Sequence, residues 1–329
     1  MPNFNITNLS SGGLITNYYC TSKCKHCLYG CSPLWDKKYI KKQTAIDNFK
    51  KIKKLNCNSV HIGGGEPFLN FEELTNTVLA ANEENIHIQY IETNSSWFKN
   101  HDNAIQKLNE LKNIGINTLL ISMSPFHNEH IPFFKVKGVI KACNQTGISV
   151  MPWIEDFYND INSFDDQVTH SLDEYSDKFG GNYIQNIPLR YWIHYGGRVI
   201  HYYKHILPLK DIDEIIFSSS RCSELNDTSH FHVDLFNNYI PGLCSGLAIH
   251  ITDLGSSLSE KKYPIINTLY NRGINGFFQY ALKHFNYKPA EDKFLNKCHL
   301  CFDIRKYLVQ EKKIQSVELA PKEYYNQVN

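Results

Sequence analysis

Apolar and polar positions alternate between two rhythms over the first two thirds of the chain. Apolar residues within 46–52 recur every three positions, which predicts an amphipathic helix, and the apolar run at 59–62 after it predicts a strand. This helix-then-strand order repeats to about residue 195, with Gly147 typical of the glycines that end a predicted helix. Counting an opening strand at 14–18, the pattern predicts about six βα units.

Such alternation predicts parallel strands joined by right-handed crossovers. The last strand of the series is predicted around 190–194. Because about 200 residues fall short of the roughly 250 of a closed eight-unit barrel, we expect an α/β fold with a partial (β/α)6 TIM-like barrel. In such a fold, functional residues lie at the carboxyl ends of the strands.

The rhythm is lost after about residue 205. Short apolar runs there are interrupted by Pro208, Pro241, Pro264 and Pro289, and the same region holds four cysteines. We therefore predict a barrel domain over 1–205 and a smaller, cysteine-rich domain over 206–329 whose core depends on a metal centre.

Composition and charge exclude several classes of protein. Hydrophobic residues make up 42% of the chain, enough for a core, while 34 Lys and Arg nearly balance 33 Asp and Glu. We therefore expect no nucleic-acid partner. The first residues lack the basic and apolar regions of a secretory signal, and no apolar run approaches the roughly 20 residues that cross a membrane. The sequence predicts a cytoplasmic protein without a membrane partner.

The ten cysteines are the most informative residues. In a reducing compartment, closely spaced cysteines bind metal or perform chemistry more often than they form disulfides. They form an early group of Cys20, Cys24, Cys27 and Cys31 and a late group of Cys222, Cys244, Cys298 and Cys301. Cys57 and Cys143 stand alone and are interpreted as core residues.

The early group contains a C-x3-C-x2-C run, 20–27, directly after the first predicted strand. Three thiolates on one loop can hold three irons of a [4Fe–4S] cluster, which leaves the fourth iron free to bind a small molecule. A structural zinc site, with Cys31 as its fourth ligand, is the alternative. Otherwise, Cys31 is a buried apolar residue or a reactive thiol near the site.

These residues resemble the cluster loop of the radical S-adenosylmethionine (SAM) superfamily, including an aromatic residue, His26, before the third cysteine. A second segment, 61–67, ends the next strand and is similar to the GGEP motif of that family, whose backbone and Glu contact the amino group of SAM. Glycines let a backbone approach a ligand closely, and a carboxylate suits an ammonium group.

The resemblance, which covers about residues 14–195, implies a set of SAM-binding residues near the strand ends. They are His26, Gly64, Gly65, Glu66, Pro67, Thr93, Asn94, Ser122 and Ser124. Tyr29, His127 and Glu155 are candidate catalytic residues because they lie at or near predicted strand ends, although a structural role fits each equally well. Arg190 and Arg198 are candidates for pairing with a carboxylate of SAM or of the substrate.

The chemistry implied by the resemblance is reductive cleavage of SAM to a 5′-deoxyadenosyl radical, which abstracts a hydrogen atom from the substrate. Such chemistry needs a low-potential electron donor, flavodoxin or ferredoxin, and is destroyed by oxygen. The cofactor carries the difficult chemistry, and the protein supplies position, electrostatics and exclusion of water.

The late cysteines are enough to ligate one further cluster. Segment 232–244 and the C-x2-C pair at 298–301 resemble the auxiliary-cluster domains called SPASM and twitch, with 237–238 standing where a glycine is usual. Four cysteines imply a single, fully ligated auxiliary [4Fe–4S] cluster of the twitch kind. A four-cysteine zinc site and unliganded core cysteines are the alternatives.

The sequence thus predicts a radical SAM enzyme, with three readings of its function kept open. The first is oxidative modification or cross-linking of a peptide or protein side chain. The second is dehydrogenation or rearrangement of a small-molecule substrate. The third is a non-enzymatic iron–sulfur or zinc protein for electron transfer or binding, against which the GGEP segment speaks, since an electron carrier has no use for an ammonium-binding turn.

Overall fold

The structure, a computed structural model of the chain, describes residues 3–190 and 193–328. The described residues form ten strands: β1 Gly12–Ile15, β2 Ser59–Gly63, β3 His87–Thr93, β4 Thr118–Ser122, β5 Ser149–Trp153, β6 Lys210–Asp211, β7 Phe231–Asp234, β8 Asn238–Ile240, β9 Ile249–His250 and β10 Lys293–Phe294.

They also form thirteen α-helices: α1 Lys42–Lys54, α2 Phe71–Glu83, α3 His101–Asn113, α4 Pro125–Asn128, α5 Phe133–Thr146, α6 Tyr158–Asn162, α7 Leu172–Phe179, α8 Tyr183–Arg190, α9 Val199–Tyr203, α10 Ile212–Ser218, α11 Pro264–Phe285, α12 Lys297–Gln310 and α13 Tyr324–Gln327. Among the described helices, none is long and apolar enough to cross a membrane.

Eight strands form one sheet in the order β5-β4-β3-β2-β1-β7-β8-β9. Strands β1 to β5 run parallel to one another, and helices follow β2, β3 and β4 as crossovers. The α/β fold with a core of parallel strands is therefore confirmed. In this arrangement the carboxyl ends of the parallel strands meet at one edge of the sheet, where functional residues are expected.

The prediction of a sixth parallel strand around 190–194 is wrong for the residues that the structure describes. Arg190 ends α8, residues 191–192 lie outside the described part of the chain, and Ile193 and His194 belong to no strand. Instead, β7 pairs in parallel with β1, with Gly12 opposite Phe231 and Ile15 opposite Asp234. A strand from the far end of the chain thus extends the sheet beyond β1.

Strands on both sides of the predicted boundary at residue 205 belong to the central sheet. Strands β8 and β9 continue antiparallel from β7, so this sheet includes residues from both predicted domains. The β7–β8 turn places Asn237 in the left-handed conformation, with φ of 66°, as expected for an Asn that replaces a glycine. Strands β6 and β10 pair in a separate two-stranded sheet, and the division into two domains stays a prediction.

Two helix ends have clear local causes. Gly147 ends α5 with φ of 67°, as predicted for a glycine stop. Helix α7 begins at Leu172, because Ser171 and Glu174 form a capping box that fixes its start.

Gly13 on β1 allows two imidazole rings on the neighbouring strands to approach each other. Gly13 lies opposite His61 of β2 on one side and His232 of β7 on the other. With no side chain between them, the two Nε2 atoms approach to 3.0 Å. A Cβ atom at Gly13 would lie 2.2 Å from His61 Nε2, so this position requires glycine.

We predict that Gly13→Ala lowers the free energy of unfolding by about 1–3 kcal/mol because the added methyl overpacks against His61. Gly12→Ala is the matched control, since its Cβ would instead lie 2.3 Å from the backbone carbonyl oxygen of Phe231. Urea unfolding of double variants with His61→Ala should show favourable coupling for position 13 and none for position 12. Equal coupling at both positions would contradict this account of the packing.

Candidate functional site

A cavity of about 220 Å³ lies at the carboxyl ends of the parallel strands. Most residues predicted for the site line it: Cys20, Cys24, His26, Cys27, Tyr29, Cys31, Gly64, Gly65, Thr93, Asn94, Ser122, His127 and Arg198. The fold therefore brings the loop after β1 and the ends of β2, β3 and β4 to one place.

The early cysteine loop is held by bonds to the neighbouring strand ends. The Asn94 side chain donates to Cys20 Sγ at 3.2 Å, and the Cys31 thiol donates to the Gly64 carbonyl at 3.6 Å. The buried guanidinium of Arg198 donates to the carbonyls of Cys24 at 2.9 Å and Cys31 at 2.5 Å. Cys31 therefore serves to join the loop to the turn after β2.

The pKa values of the cysteine thiols in this loop differ strongly from their usual value. Burial raises the pKa of the Cys20 thiol to about 12 and raises that of Cys24 well above its usual value. The Cys31 thiol next to Cys27 lowers the pKa of Cys27 to about 5 and has a raised pKa itself. A metal cluster would supply the positive charge that buried thiolates require.

The donor set fits an iron–sulfur cluster with a small molecule beside it. Cys20, Cys24 and Cys27 line the cavity together. In the described part of the chain, Ser22 Oγ and His26 Nδ1 are buried on the same loop without a hydrogen-bond partner. Buried polar atoms are normally satisfied, so these two are suited to a ligand in the cavity.

The glycines of the 61–67 segment are required by close packing against the end of β1. A Cβ atom at Gly65 would lie 2.0 Å from the Tyr19 carbonyl oxygen, and one at Gly64 would lie 2.6 Å from Asn17 Oδ1. The Gly65 amide donates to the Asn17 carbonyl at 2.6 Å. The turn thus lies against the residues that lead into the cysteine loop.

Glu66 is fully engaged within the protein and is not among the cavity-lining residues. Its carboxylate accepts bonds from the amides of Phe68 at 3.1 Å and Asn94 at 2.7 Å, and from the Thr93 hydroxyl at 3.0 Å. Burial raises its pKa to about 7, although these bonds oppose the shift. Glu66 therefore fixes the turn after β2 to the end of β3, and contact between Glu66 and SAM stays a prediction.

Four other predicted residues lie outside the cavity lining. Ser124 bonds with His127 Nδ1 at 2.8 Å, and Pro67 begins a short 3-10 helix. Glu155 is exposed, because the chain turns outward into a 3-10 helix after β5. Arg190 pairs with Asp160 and packs on Phe157, so it is not available to a ligand carboxylate in the cavity.

Several cavity-lining residues were not predicted: Glu92, Trp153, His194, His230 and His232. A sequence signal existed for one of them, since Glu92 directly precedes the strand-end residues that were singled out. His230 and His232 enter the site only because β7 pairs with β1. That pairing joins segments far apart in the chain, so local patterns do not reveal it.

The four late cysteines line a second, smaller cavity of about 50 Å³. Cys298 and Cys301 lie in the first two turns of α12, whose start the Asn296 side chain caps by accepting bonds from the amides of Cys298 and His299. Cys222 precedes a 3-10 helix, and Cys244 follows β8. Burial raises the pKa of Cys222 to about 12 and that of Cys298 to about 11.

Each cysteine group has a buried arginine whose charge is not balanced by a carboxylate. Arg198 and Arg305 are both 5% exposed, and neither forms an ion pair within the described residues. Arg305 donates to the carbonyls of Ser245 at 2.9 Å and Cys301 at 3.3 Å. Because a buried charge needs a counter-charge, both sites fit anionic cysteine thiolates.

The described residues gather no three His, Cys, Asp or Glu side chains in an arrangement for a single metal ion. Cys57 and Cys143 are buried and line neither cysteine cavity. The two cysteine cavities share two wall residues, His194 and Leu243. The two cavities are thus adjacent, with these two residues between them.

Comparison with known proteins finds a family whose sequence profile matches part of the chain. Residues 14–158 match the sequence profile of the Radical SAM superfamily. No curated protein sequence matches the chain.

Remote structural similarity extends over more of the chain. BtrN, solved with AdoMet and 2-DOIA, has 13% identity and a TM-score of 0.45, covering 84% of this chain and 91% of its own. anSMEcpe with AdoMet has 14% identity and a TM-score of 0.47, covering 92% and 98%. Streptococcus suis SuiB, bound to the precursor peptide SuiA, has 13% identity and a TM-score of 0.36, covering 95% and 74%. Similarity this remote does not indicate a substrate.

We predict that Glu66→Ala lowers the free energy of unfolding by at least ~2 kcal/mol, because it leaves buried donors without an acceptor. Denaturant unfolding of the anaerobically prepared protein measures the effect. Glu110→Ala, at an exposed position of α3, is the control and should change the value by no more than ~0.5 kcal/mol. An equal loss in both variants would show that the Glu66 bonds do not hold the turn.

Proposed function

We propose that the chain is an enzyme that cleaves SAM reductively and abstracts a hydrogen atom from its substrate, since residues 14–158 match the sequence profile of the Radical SAM superfamily. The observation that carries the proposal is the joint position of three loop cysteines and the glycine turn on one cavity. The cysteines are suited to a [4Fe–4S] cluster, and the glycine turn allows a ligand to lie close to the backbone.

The proposed ligands of the first cluster are Cys20, Cys24 and Cys27. A cluster with three thiolate ligands has one iron open to the amino and carboxylate groups of SAM, and when reduced it supplies the electron that cleaves the sulfonium. The protein's own residues bind and orient: His26 and the strand-end residues Thr93 and Ser122 lie around the cavity. A flavodoxin or ferredoxin is the proposed electron donor.

A second, fully ligated [4Fe–4S] cluster is proposed at Cys222, Cys244, Cys298 and Cys301. Two observations support a metal–thiolate centre here: the four thiols surround a cavity, and the buried guanidinium of Arg305 lies beside them without a carboxylate partner among the described residues. A cluster with four thiolate ligands carries net negative charge, which would balance Arg305. Its proposed role is to accept an electron from the substrate radical.

An electron acceptor next to the reaction cavity favours an oxidative outcome. The shared wall of His194 and Leu243 keeps the two proposed clusters close, so the electron has a short path. We propose oxidative modification or cross-linking of a peptide or protein side chain. Dehydrogenation of a small molecule would use the same residues.

The test of the proposed activity is formation of 5′-deoxyadenosine from SAM by the reconstituted protein with dithionite under anaerobic conditions. Wild type should form the product. Cys24→Ala should abolish it because the cluster loses a ligand, whereas Cys143→Ala, at a buried position on α5, should retain it. Absence of product from wild type that contains a cluster would favour the non-enzymatic reading.

We further predict that Arg305→Met lowers the midpoint potential of the auxiliary cluster by roughly several tens of millivolts, because reduction then adds negative charge without a nearby cation. An EPR-monitored redox titration measures the shift. Lys312→Met, at an exposed position beyond α12, is the control and should leave the potential unchanged. An unchanged potential in Arg305→Met would contradict the placement of a cluster beside this arginine.

A further inference from the structure

One carboxylate lines the cavity and accepts no hydrogen bond from the described residues. It belongs to Glu92 of β3, whose side chain is 30% exposed. In the described part of the chain, no hydrogen-bond donor reaches its oxygens, and its nearest potential cation is His61 Nε2, 3.7 Å away. Glu66 is the instructive contrast, because its oxygens already accept bonds from Phe68, Thr93 and Asn94.

His61 does not neutralise Glu92. Burial and the neighbouring His230 lower the pKa of His61 to about 3, so its imidazole is uncharged near neutral pH. The ring is also committed, since its Nε2 lies 3.0 Å from His232 Nε2 and its face stacks on Tyr90. His61 therefore leaves the charge of the Glu92 carboxylate unmatched.

Arg198 is the only Lys or Arg among the described residues that line the cavity. Its Nε, Nη1 and Nη2 atoms each donate to a backbone carbonyl, those of Cys24, Gln327 and Cys31 respectively. Burial raises the pKa of Glu92 to about 7, because ionising this carboxylate in the cavity wall costs free energy. An arriving cation would remove that cost, whereas an arriving anion would add to it.

We propose that Glu92 receives a primary ammonium group of the substrate. Ammonium suits the site because it offers three N–H donors and a full positive charge to a carboxylate that lacks a donor and a counter-charge. The inference rests on the proposed function, under which the amino group of SAM binds the open iron through its nitrogen lone pair and is therefore not an ammonium group. The substrate is then the ligand that brings the ammonium.

The test measures affinity, so it does not depend on turnover. Wild type, Glu92→Gln and the control Glu110→Gln are reconstituted anaerobically and titrated by calorimetry with two probes. The first probe is SAM. The second is butylammonium, added to the SAM-loaded protein, with 1-butanol as its uncharged counterpart. Glu110 is exposed on α3, so its substitution controls for the loss of one charge.

We expect Glu92→Gln to weaken butylammonium binding by about tenfold to a hundredfold, the range of a charge-assisted hydrogen bond, and to leave SAM binding unchanged. Weaker binding of SAM would contradict the assignment of the ammonium to the substrate. Unchanged SAM binding with loss of butylammonium, and no effect on 1-butanol, assigns it to the substrate. Unchanged affinity for both probes overturns the proposal, as does an equal loss in Glu110→Gln.

Two further controls keep the interpretation clear. Glu92→Asp retains the charge, so it should bind the affected probe more tightly than Glu92→Gln does, and the reverse order would contradict the proposal. Failure of the proposed function gives a different result: wild type binds butylammonium through Glu92 but forms no 5′-deoxyadenosine with dithionite.

Discussion

The buried guanidinium of Arg198 joins the parts of the molecule on which the site depends. It bonds the carbonyls of Cys24 and Cys31 on the cluster loop and that of Gln327 near the C-terminal end of the described chain. Its own charge has no carboxylate partner within the described residues, so the thiols beside it are the natural source of counter-charge. One cation thus joins the cysteine loop to the end of the described chain, and its buried charge requires an anionic group nearby.

The extension of the sheet by β7 gives this arrangement its functional geometry. Because β7 pairs with β1, the residues that follow it bring Leu243 to the wall that the two cavities share and Cys244 to the second cavity. The two groups of cysteines therefore lie on either side of a common wall, although they are about 200 residues apart in the chain. Proximity of this kind is what transfer of an electron from a substrate to a second cluster would require.

The sequence was sufficient for the parts of the site that depend on local spacing. The cysteine run and the glycine turn follow adjacent strands, and parallel strands bring their carboxyl ends together. The origin of the sixth strand was beyond local patterns, because pairing between β1 and β7 joins distant segments. Local patterns also could not distinguish the environment of Glu66 from that of Glu92. Both lie near strand ends, and only the tertiary structure determines which carboxylate receives donors and which stays open.

The central claim is that two groups of thiolates, each beside a buried arginine, hold two iron–sulfur clusters. Anaerobic iron and zinc analysis with Mössbauer spectra tests it most directly, on wild type and on a variant with Cys20, Cys24 and Cys27 replaced by alanine. We predict about eight irons per chain in wild type and about four in the variant, all as [4Fe–4S] clusters. About four irons in wild type and none in the variant, with one zinc retained in both, would contradict the claim.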